Sequence, residues 1–274
     1  MTRIAFLVTH LSGSGHYVRT LALARAARAA GASVRVISGG RALPHIPADD
    51  LDIVALPPLL VAGRNFARPL TAHGAPADAA YMARRAQAAA EAVHSAAPHI
   101  LVTETFPLGR RRLAAEFEAA IAAGRAARAD LRLVCSVRDV PEPPSRPMPI
   151  REPAPQRGPD RAPERLAEGA TERLAEAAHR LAGYDMILQH GDAALTPLAD
   201  TWPLPPGHPP VHATGYVAAP PAAGAVPADE ILVATGGGDL GRRLLAMAAE
   251  AAAMAPRPPD AHSHDARPPT ADPP

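Results

Sequence analysis

The chain has 274 residues and a net charge of +1 at neutral pH, which allows one large domain or two small ones. Because its basic residues form no long block, we exclude nucleic-acid binding. A single cysteine, Cys135, excludes a disulfide framework. No segment approaches the roughly 18 apolar residues of a membrane span, and the N-terminus does not resemble a signal peptide. We therefore expect a cytoplasmic protein.

The first predicted unit is an apolar strand, residues 3–9, followed by a glycine turn and an amphipathic helix, residues 15–30. The turn reads Ser12-Gly13-Ser14-Gly15-His16. A helix N-terminus presents unpaired N–H groups that favour anions, and histidine can move a proton at neutral pH. The turn thus indicates a phosphate or nucleotide-sugar enzyme, with a plain tight turn as the alternative.

Five more strands and three more helices follow in alternation. The predicted strands are 33–38, 51–55, 99–104, 131–137 and 184–189, and the predicted helices are 77–96, 110–127 and 163–182. This order is typical of an α/β fold with a Rossmann-like, doubly wound parallel sheet. Dinucleotide binding is disfavoured, because Val18 replaces the third glycine of the fingerprint and Ser38-Gly39-Gly40 stands where an acidic residue would hold the ribose.

Proline-rich segments interrupt this alternation. Residues 140–163 predict a surface loop inside a first domain of residues 1–216, and residues 217–229 predict a linker. Residues 230–254 then repeat the strand–glycine–helix order, and residues 255–274 have the composition of a disordered tail. Even one βαβ unit takes about 30 residues, so we expect only a fragment of a second domain.

Polar residues follow three of the predicted strands, where ligands of open α/β sheets bind. Glu104 ends one strand, Arg138 and Asp139 end the next, and His190 follows the last. Each set also has an alternative without a ligand: a solvated loop for Glu104, a local ion pair for Arg138 and Asp139, and a helix-capping turn for His190. Arginines 110–112 oppose the dipole of the helix that they begin, which favours a functional reason for them. No His, Cys and Asp set has metal-ligand spacing, so we predict neither a metal nor another cofactor.

An apolar run at residues 56–61 is followed by Arg64 and Arg68. We interpret the run as a buried loop after the third strand. Contact with a lipid surface, which would make the protein membrane-peripheral, is the alternative.

Six motifs in this order resemble bacterial glycosyltransferases related to the cell-wall enzyme MurG, over about residues 1–254. They are Gly13-Ser14-Gly15-His16-x-x-Arg19, Thr103-Glu104-x-Phe106-Pro107-x-Gly109-Arg110-Arg111, Ser136-Val137-Arg138-Asp139, Tyr184-Asp185 with His190-Gly191-Asp192, Thr214-Gly215-Tyr216-Val217, and Gly236-Gly237-Gly238 with Gly241-Arg242-Arg243. As an ordered set the six motifs are fairly specific, although each is weak alone.

The resemblance implies a GT-B architecture, in which an N-terminal Rossmann-like domain takes the acceptor and a C-terminal one takes a nucleotide-sugar donor. The implied hexosyltransferase reaction moves a hexose from a nucleotide diphosphate to an acceptor hydroxyl, and the sequence does not identify the acceptor. His16 matches a loop histidine that acts as general base or acceptor contact. The turn of Gly236, Gly237 and Gly238 matches a loop that approaches the donor diphosphate, where helix N–H groups would remove the need for a metal.

The family continues beyond the position of residue 254 with further strands and helices that hold the donor. The resemblance therefore implies a C-terminally truncated member with reduced or lost activity, whose fragment exposes apolar residues such as Val233 and Leu244. Two alternatives stay open: a non-catalytic, acceptor-binding half, and an enzyme of another class such as a nucleotide-sugar epimerase.

Overall fold

The computed structural model describes residues 1–62, 68–139, 141, 174–202, 204–218, 232–235 and 241–254. The predicted donor glycines Gly236, Gly237 and Gly238 lie outside the described residues, as do the predicted tail and nearly all of the proline-rich loop and the linker. The chain divides into two units, Met1–Pro227 and Ala228–Pro274. The boundary after residue 216 stays a prediction.

Eight strands form one sheet in the first unit. They are β1 (Arg3–Val8), β2 (Ser33–Gly40), β3 (Asp52–Val61), β4 (Pro69–Leu70), β5 (Ile100–Glu104), β6 (Arg132–Arg138), β7 (Met186–His190) and β8 (Val211–Ala213). Their order is β4-β3-β2-β1-β5-β6-β7-β8, and every pair is parallel except β3 with β4. The predicted α/β fold with a doubly wound, mostly parallel sheet is confirmed.

Helices cover both faces of this sheet. They are α1 (Gly15–Ala29), α2 (Ala79–Ala96), α3 (Ala114–Ala127), α4 (174–181 in the described part) and α5 (Leu198–Thr201), with a 3₁₀ turn at Arg111–Leu113 before α3. Alternation along β1 sends Phe6 and Val8 to the core beneath α1, and Ala5 and Leu7 to the larger core beneath α2 and α3.

The segment predicted as a buried loop, residues 56–61, is instead part of β3. Leu56 and Leu59 are buried, and Leu59 pairs with Gly40 of β2. The register between β2 and β3 shifts just before this pair, so the prolines of the run fall where the ladder of hydrogen bonds is interrupted. The prolines at 57 and 58 therefore lie within β3 and do not end it.

In the second unit, the sequence pattern predicts a strand over residues 231–234, but the described residues 232–235 have no regular secondary structure. The predicted helix is present as α6 (Arg242–Met254). Leu244 and Leu245 are 52% and 45% exposed, so this helix presents apolar side chains to solvent, as expected.

A buried ion pair that the sequence did not predict joins α2 to α3. Arg85 and Glu116 are almost fully buried, and Arg85 donates from Nε to Glu116 Oε2 at 2.9 Å and from Nη2 to Oε1 at 3.0 Å. Arg85 Nη1 also donates to the carbonyls of Gly39, at 3.0 Å, and Pro57. These bonds satisfy a charge that would otherwise be costly to bury, and they tie both helices to β2 and β3.

We expect Arg85→Met to lower the free energy of unfolding by about 3–5 kcal/mol, because Glu116 keeps its charge in the interior without a partner. Urea denaturation followed by circular dichroism measures this change. The matched control is Arg84→Met, since Arg84 is exposed, and its cost should stay within about 1 kcal/mol. Equal costs for the two variants would contradict a stabilising role of the buried pair.

Candidate functional site

The candidate site lies where the strand order reverses, between β1 and β5. After β1 the chain continues through β2 and β3 to one side, and β5, β6 and β7 continue to the other side. Ligands of open α/β sheets bind at such a switch point, outside the carboxyl ends of the strands. His16 is the second residue of α1, the helix that follows β1, and Glu104 is the last residue of β5.

Glu104 is the centre of a hydrogen-bond network, although it is only 3% exposed. Its Oε1 accepts hydrogen bonds from His16 Nδ1, at 2.9 Å, and from the guanidinium of Arg19. Its Oε2 accepts a hydrogen bond from the hydroxyl of Ser136, which lies beside it in the β5–β6 register. Helix α1 and strands β5 and β6 therefore meet at one carboxylate.

The network keeps Glu104 ionised. Burial alone would raise the pKa of this carboxyl, but the hydrogen bond from His16 and the charge of Arg19 hold the pKa at about 2. Burial also lowers the pKa of His16, and the hydrogen bond to Glu104 opposes that shift only in part. At neutral pH the pair therefore consists of an imidazole and a carboxylate.

The hydrogen bond to Glu104 also assigns the tautomer of His16. An ionised carboxylate can only accept, so Nδ1 of the imidazole carries the proton. The other nitrogen, Nε2, keeps a lone pair and makes no hydrogen bond to any described residue. His16 is 29% exposed, so this lone pair can take a proton from a bound hydroxyl.

His190 extends the network away from His16. Ser136 donates to Glu104, so its oxygen accepts from His190 Nε2 at 2.9 Å. His190 Nδ1 lies 2.8 Å from Thr214 Oγ1. Burial, with the charge of Arg19, lowers the pKa of His190 to about 4. His190 is therefore a neutral residue that is only 4% exposed and holds Ser136 against Glu104. Its predicted contact with a substrate stays a prediction.

The remaining predicted residues lie around this network. A Cβ atom added at Gly13 or Gly15 would meet nothing within 4 Å, so the two glycines leave open space in front of α1. Ser14 precedes α1 without capping it through its side chain. Arg138 is 57% exposed, and its Nε lies 3.8 Å from Asp139 Oδ1, which matches the alternative of a local ion pair.

Sequence reasoning assigned no role to Arg19, Thr105 or Ser136, although all three fall within the resembling motifs. Thr105 Oγ1 lies 3.3 Å from both His16 Nδ1 and Glu104 Oε1, and its φ of 70° is rare for a residue other than glycine. The spacing of three residues between His16 and Arg19 places both on one face of α1. From that spacing, Arg19 could have been predicted to lie beside His16.

Among the residues that the structure describes, no group of three or more His, Cys, Asp or Glu side chains could hold a metal ion. None of the described helices has both the length and the apolar composition needed to cross a lipid bilayer.

No family model and no curated protein matches the chain. Among solved structures it is similar to UGT2 of Phytolacca americana, complexed with UDP-2-fluoro-glucose and pterostilbene, at 12% identity and a TM-score of 0.42, over 79% of this chain and 53% of that one. It is similar to MurG of Acinetobacter baumannii at 10% identity and a TM-score of 0.36, over 70% and 42%. A UGT transferase of Siraitia grosvenorii in complex with UDP matches at 15% identity and a TM-score of 0.43, over 78% and 51%.

All three of these solved structures are glycosyltransferases, and the chain spans about half of their length. Because the identities and TM-scores are low, any assignment of activity depends on the residues of this chain.

We expect Glu104→Gln to remove a pH-dependent part of the stability. The pKa of Glu104 is about 2 in the folded chain, against 4.5 ordinarily, so its ionised form contributes roughly 3 kcal/mol above pH 4.5. This contribution is lost as the pH falls from 4.5 towards 2. Denaturant unfolding at several pH values should show the difference between wild type and variant narrowing over that window.

The control for this experiment is Glu118→Gln, since Glu118 is half exposed and pairs with Arg180. Its effect should be small at every pH. A difference between wild type and Glu104→Gln that stays constant from pH 3 to pH 6 would contradict the lowered pKa.

Proposed function

We propose that this chain is a glycosyltransferase subunit that transfers a hexose from a nucleotide-diphosphate sugar to an acceptor hydroxyl. The observation that carries the proposal is the His16–Glu104 pair. The side chain of His16 is 29% exposed, its Nε2 makes no hydrogen bond to a described residue, and its protonated Nδ1 is held by a buried carboxylate. The resemblance of the six motifs to MurG-related enzymes supports it.

The proposed chemistry begins with the acceptor hydroxyl beside His16 Nε2. As the hydroxyl oxygen attacks the anomeric carbon of the donor sugar, its proton passes to Nε2, and the bond from that carbon to the diphosphate oxygen breaks. The electron pair of the broken bond leaves with the nucleotide diphosphate. Glu104 stabilises the imidazolium that forms, because its charge lies 2.9 Å from Nδ1.

The roles of the other predicted residues are part of the same proposal. Gly13, Ser14 and Gly15 would let the acceptor approach α1 closely, and Arg138 and Asp139 would contact it from the neighbouring strand end. Gly236, Gly237 and Gly238 would approach the donor diphosphate with their backbone N–H groups. We place the reaction in the cytoplasm, and the alternative is a chain attached peripherally to a membrane surface.

A second candidate is an acceptor-binding subunit that does not itself transfer sugar. It is favoured by one observation: every described contact of the site lies within the unit Met1–Pro227. An acceptor could therefore bind whether or not a donor does. Such a subunit would bind the acceptor without consuming UDP- or GDP-sugars. Titration calorimetry with both donors, together with a transfer assay, distinguishes it from an active glycosyltransferase.

We expect His16→Gln to lower the transfer rate by about 10²- to 10⁴-fold, because the variant lacks the general base. Release of nucleoside diphosphate from UDP- and GDP-sugars, with a panel of acceptor alcohols, measures the rate. The rate of the wild type should rise with pH and level off below pH 7, since the pKa of His16 lies below its ordinary value of 6.5 and the base must be unprotonated.

The matched control is His94→Gln, since His94 is exposed on α2. It should keep the wild-type rate. Transfer by His16→Gln at the rate of this control would rule out His16 as the base.

A further inference from the structure

His190 is a buried histidine with both ring nitrogens hydrogen-bonded. It is the last residue of β7 and is 4% exposed. Its Nε2 lies 2.9 Å from the hydroxyl oxygen of Ser136 on β6, and its Nδ1 lies 2.8 Å from that of Thr214, just after β8. A buried ring with a partner at each nitrogen has one fixed orientation. His190 therefore links β6 to the segment that follows β8.

The donors and acceptors of these bonds run in one direction. The hydroxyl of Ser136 has a single hydrogen and donates it to Glu104 Oε2, since an ionised carboxylate only accepts. The bond between Ser136 and His190 therefore needs a proton on Nε2 of the imidazole. Burial, with the charge of Arg19, lowers the pKa of His190 to about 4, so the ring carries one proton at pH 7. Nδ1 is then a bare acceptor, and Thr214 donates to it.

The hydroxyl of Thr214 also has a second acceptor, which makes the opposite direction conceivable. Its Oγ1 lies 2.9 Å from the carbonyl oxygen of Gly215. If Thr214 donated there, Nδ1 of His190 could carry the proton and donate to Thr214. Nε2 would then accept the hydrogen of Ser136, and Glu104 would lose that hydrogen bond. Because charge-assisted hydrogen bonds are strong and a buried carboxylate is costly to leave without donors, the direction towards Glu104 is the stable one.

This direction affects His16, because His16 and Ser136 share one carboxylate. His16 Nδ1 donates to Glu104 Oε1 at 2.9 Å, while Ser136 donates to Oε2. Each donor takes up part of the negative charge of Glu104, which leaves less of it to stabilise a proton on His16. The other charged and titratable groups that act on His16 are the same in both directions: Arg19, Arg110 and His10.

We propose that His190 is a positioning residue for the base His16. By donating from Nε2, it keeps the single hydrogen of Ser136 turned towards Glu104 and thereby limits the negative charge that His16 receives. The hydroxyl of Thr214 fixes the protonation of the ring that this requires. The inference deepens the proposed function, since the base is the one assigned there. A base that is kept weak in this way is unprotonated at neutral pH and ready to accept a proton.

The first test is the tautomer of His190 in the unaltered full chain, read from long-range ¹H–¹⁵N NMR spectra of ¹⁵N-histidine-labelled protein at pH 7. We expect the proton on Nε2 in at least about tenfold excess, because the hydrogen bond that this tautomer secures has a charged acceptor. A proton on Nδ1 would overturn the inference, since Ser136 would then donate to His190 and not to Glu104.

The second test is a double-mutant cycle on the pKa of His16, measured by NMR titration. Ser136→Ala removes a donor from Glu104, and His190→Leu removes the group that turns this donor. Each should raise the pKa of His16, because more of the carboxylate charge then acts on it. In the Ser136→Ala background, His190→Leu should produce no further rise. A rise of equal size in both backgrounds, or none in either, would show that His190 does not act through Ser136.

The matched control is His99→Leu. His99 directly precedes β5, at the end opposite to Glu104, and its Nδ1 accepts a hydrogen bond from the backbone N–H of Arg3. The substitution should leave the pKa of His16 and the tautomer of His190 unchanged. An equal rise in the pKa of His16 in this control would count against the positioning role. The tautomer measurement needs no variant, so it decides even where His190→Leu alters the fold.

A pH profile separates positioning from a purely structural role. In the transfer assay, His190→Leu should move the rising limb of the rate to higher pH, in step with the pKa of His16, and keep the plateau rate within about tenfold of wild type. A lower plateau with an unmoved limb would contradict the positioning role. Both NMR measurements work without turnover. A chain that shows the expected tautomer and pKa changes but transfers no sugar would contradict the proposed function and leave this arrangement of protons standing.

Discussion

The burial of one carboxylate, Glu104, is the constraint on which the site depends. An unpaired carboxylate at this depth would cost several kcal/mol, so the folded chain must bring donors to both of its oxygens. Two of these donors, His16 and Arg19, belong to α1, and the third, Ser136, belongs to β6. The position of α1 relative to β5 and β6 is therefore set partly by the same contacts that orient the imidazole. Stability and site geometry are coupled through one side chain.

Two arginines, the buried Arg85 and the partly buried Arg110, differ in how their guanidinium groups are paired. Arg85 has a carboxylate and two carbonyls as partners, and it joins helices to strands far from solvent. Arg110 is partly buried, and its Nε makes no hydrogen bond to a described residue. A fold can bury a charge for its own stability only when it supplies the partners. All three guanidinium nitrogens of Arg85 donate hydrogen bonds, whereas the Nε of Arg110 donates none to a described residue.

The sheet could be predicted because buried parallel strands are short apolar runs separated by helices, and Glu104 could be placed by the rule that ligands gather at strand ends. β3 was predicted too short, since the prolines at 57–58 mimic a strand end where a shift in register accommodates them. β4 and β8 have two and three residues, too few for any periodicity. The Arg85–Glu116 pair could not be predicted, because no pattern in a single sequence indicates that two charged helix residues 31 positions apart are in contact.

Exposure decides which histidine of the site can meet a substrate. Burial lowers the pKa values of His10, His16 and His190 alike, so all three are neutral bases in principle. His10 and His190 are 3% and 4% exposed, and each already has a ring nitrogen hydrogen-bonded to another residue, Arg41 and Ser136 respectively. His16 alone among them combines a partly exposed side chain with a carboxylate that can stabilise its protonated form. A histidine in a glycine turn becomes a candidate base through that carboxylate, which lies 88 residues away in the sequence.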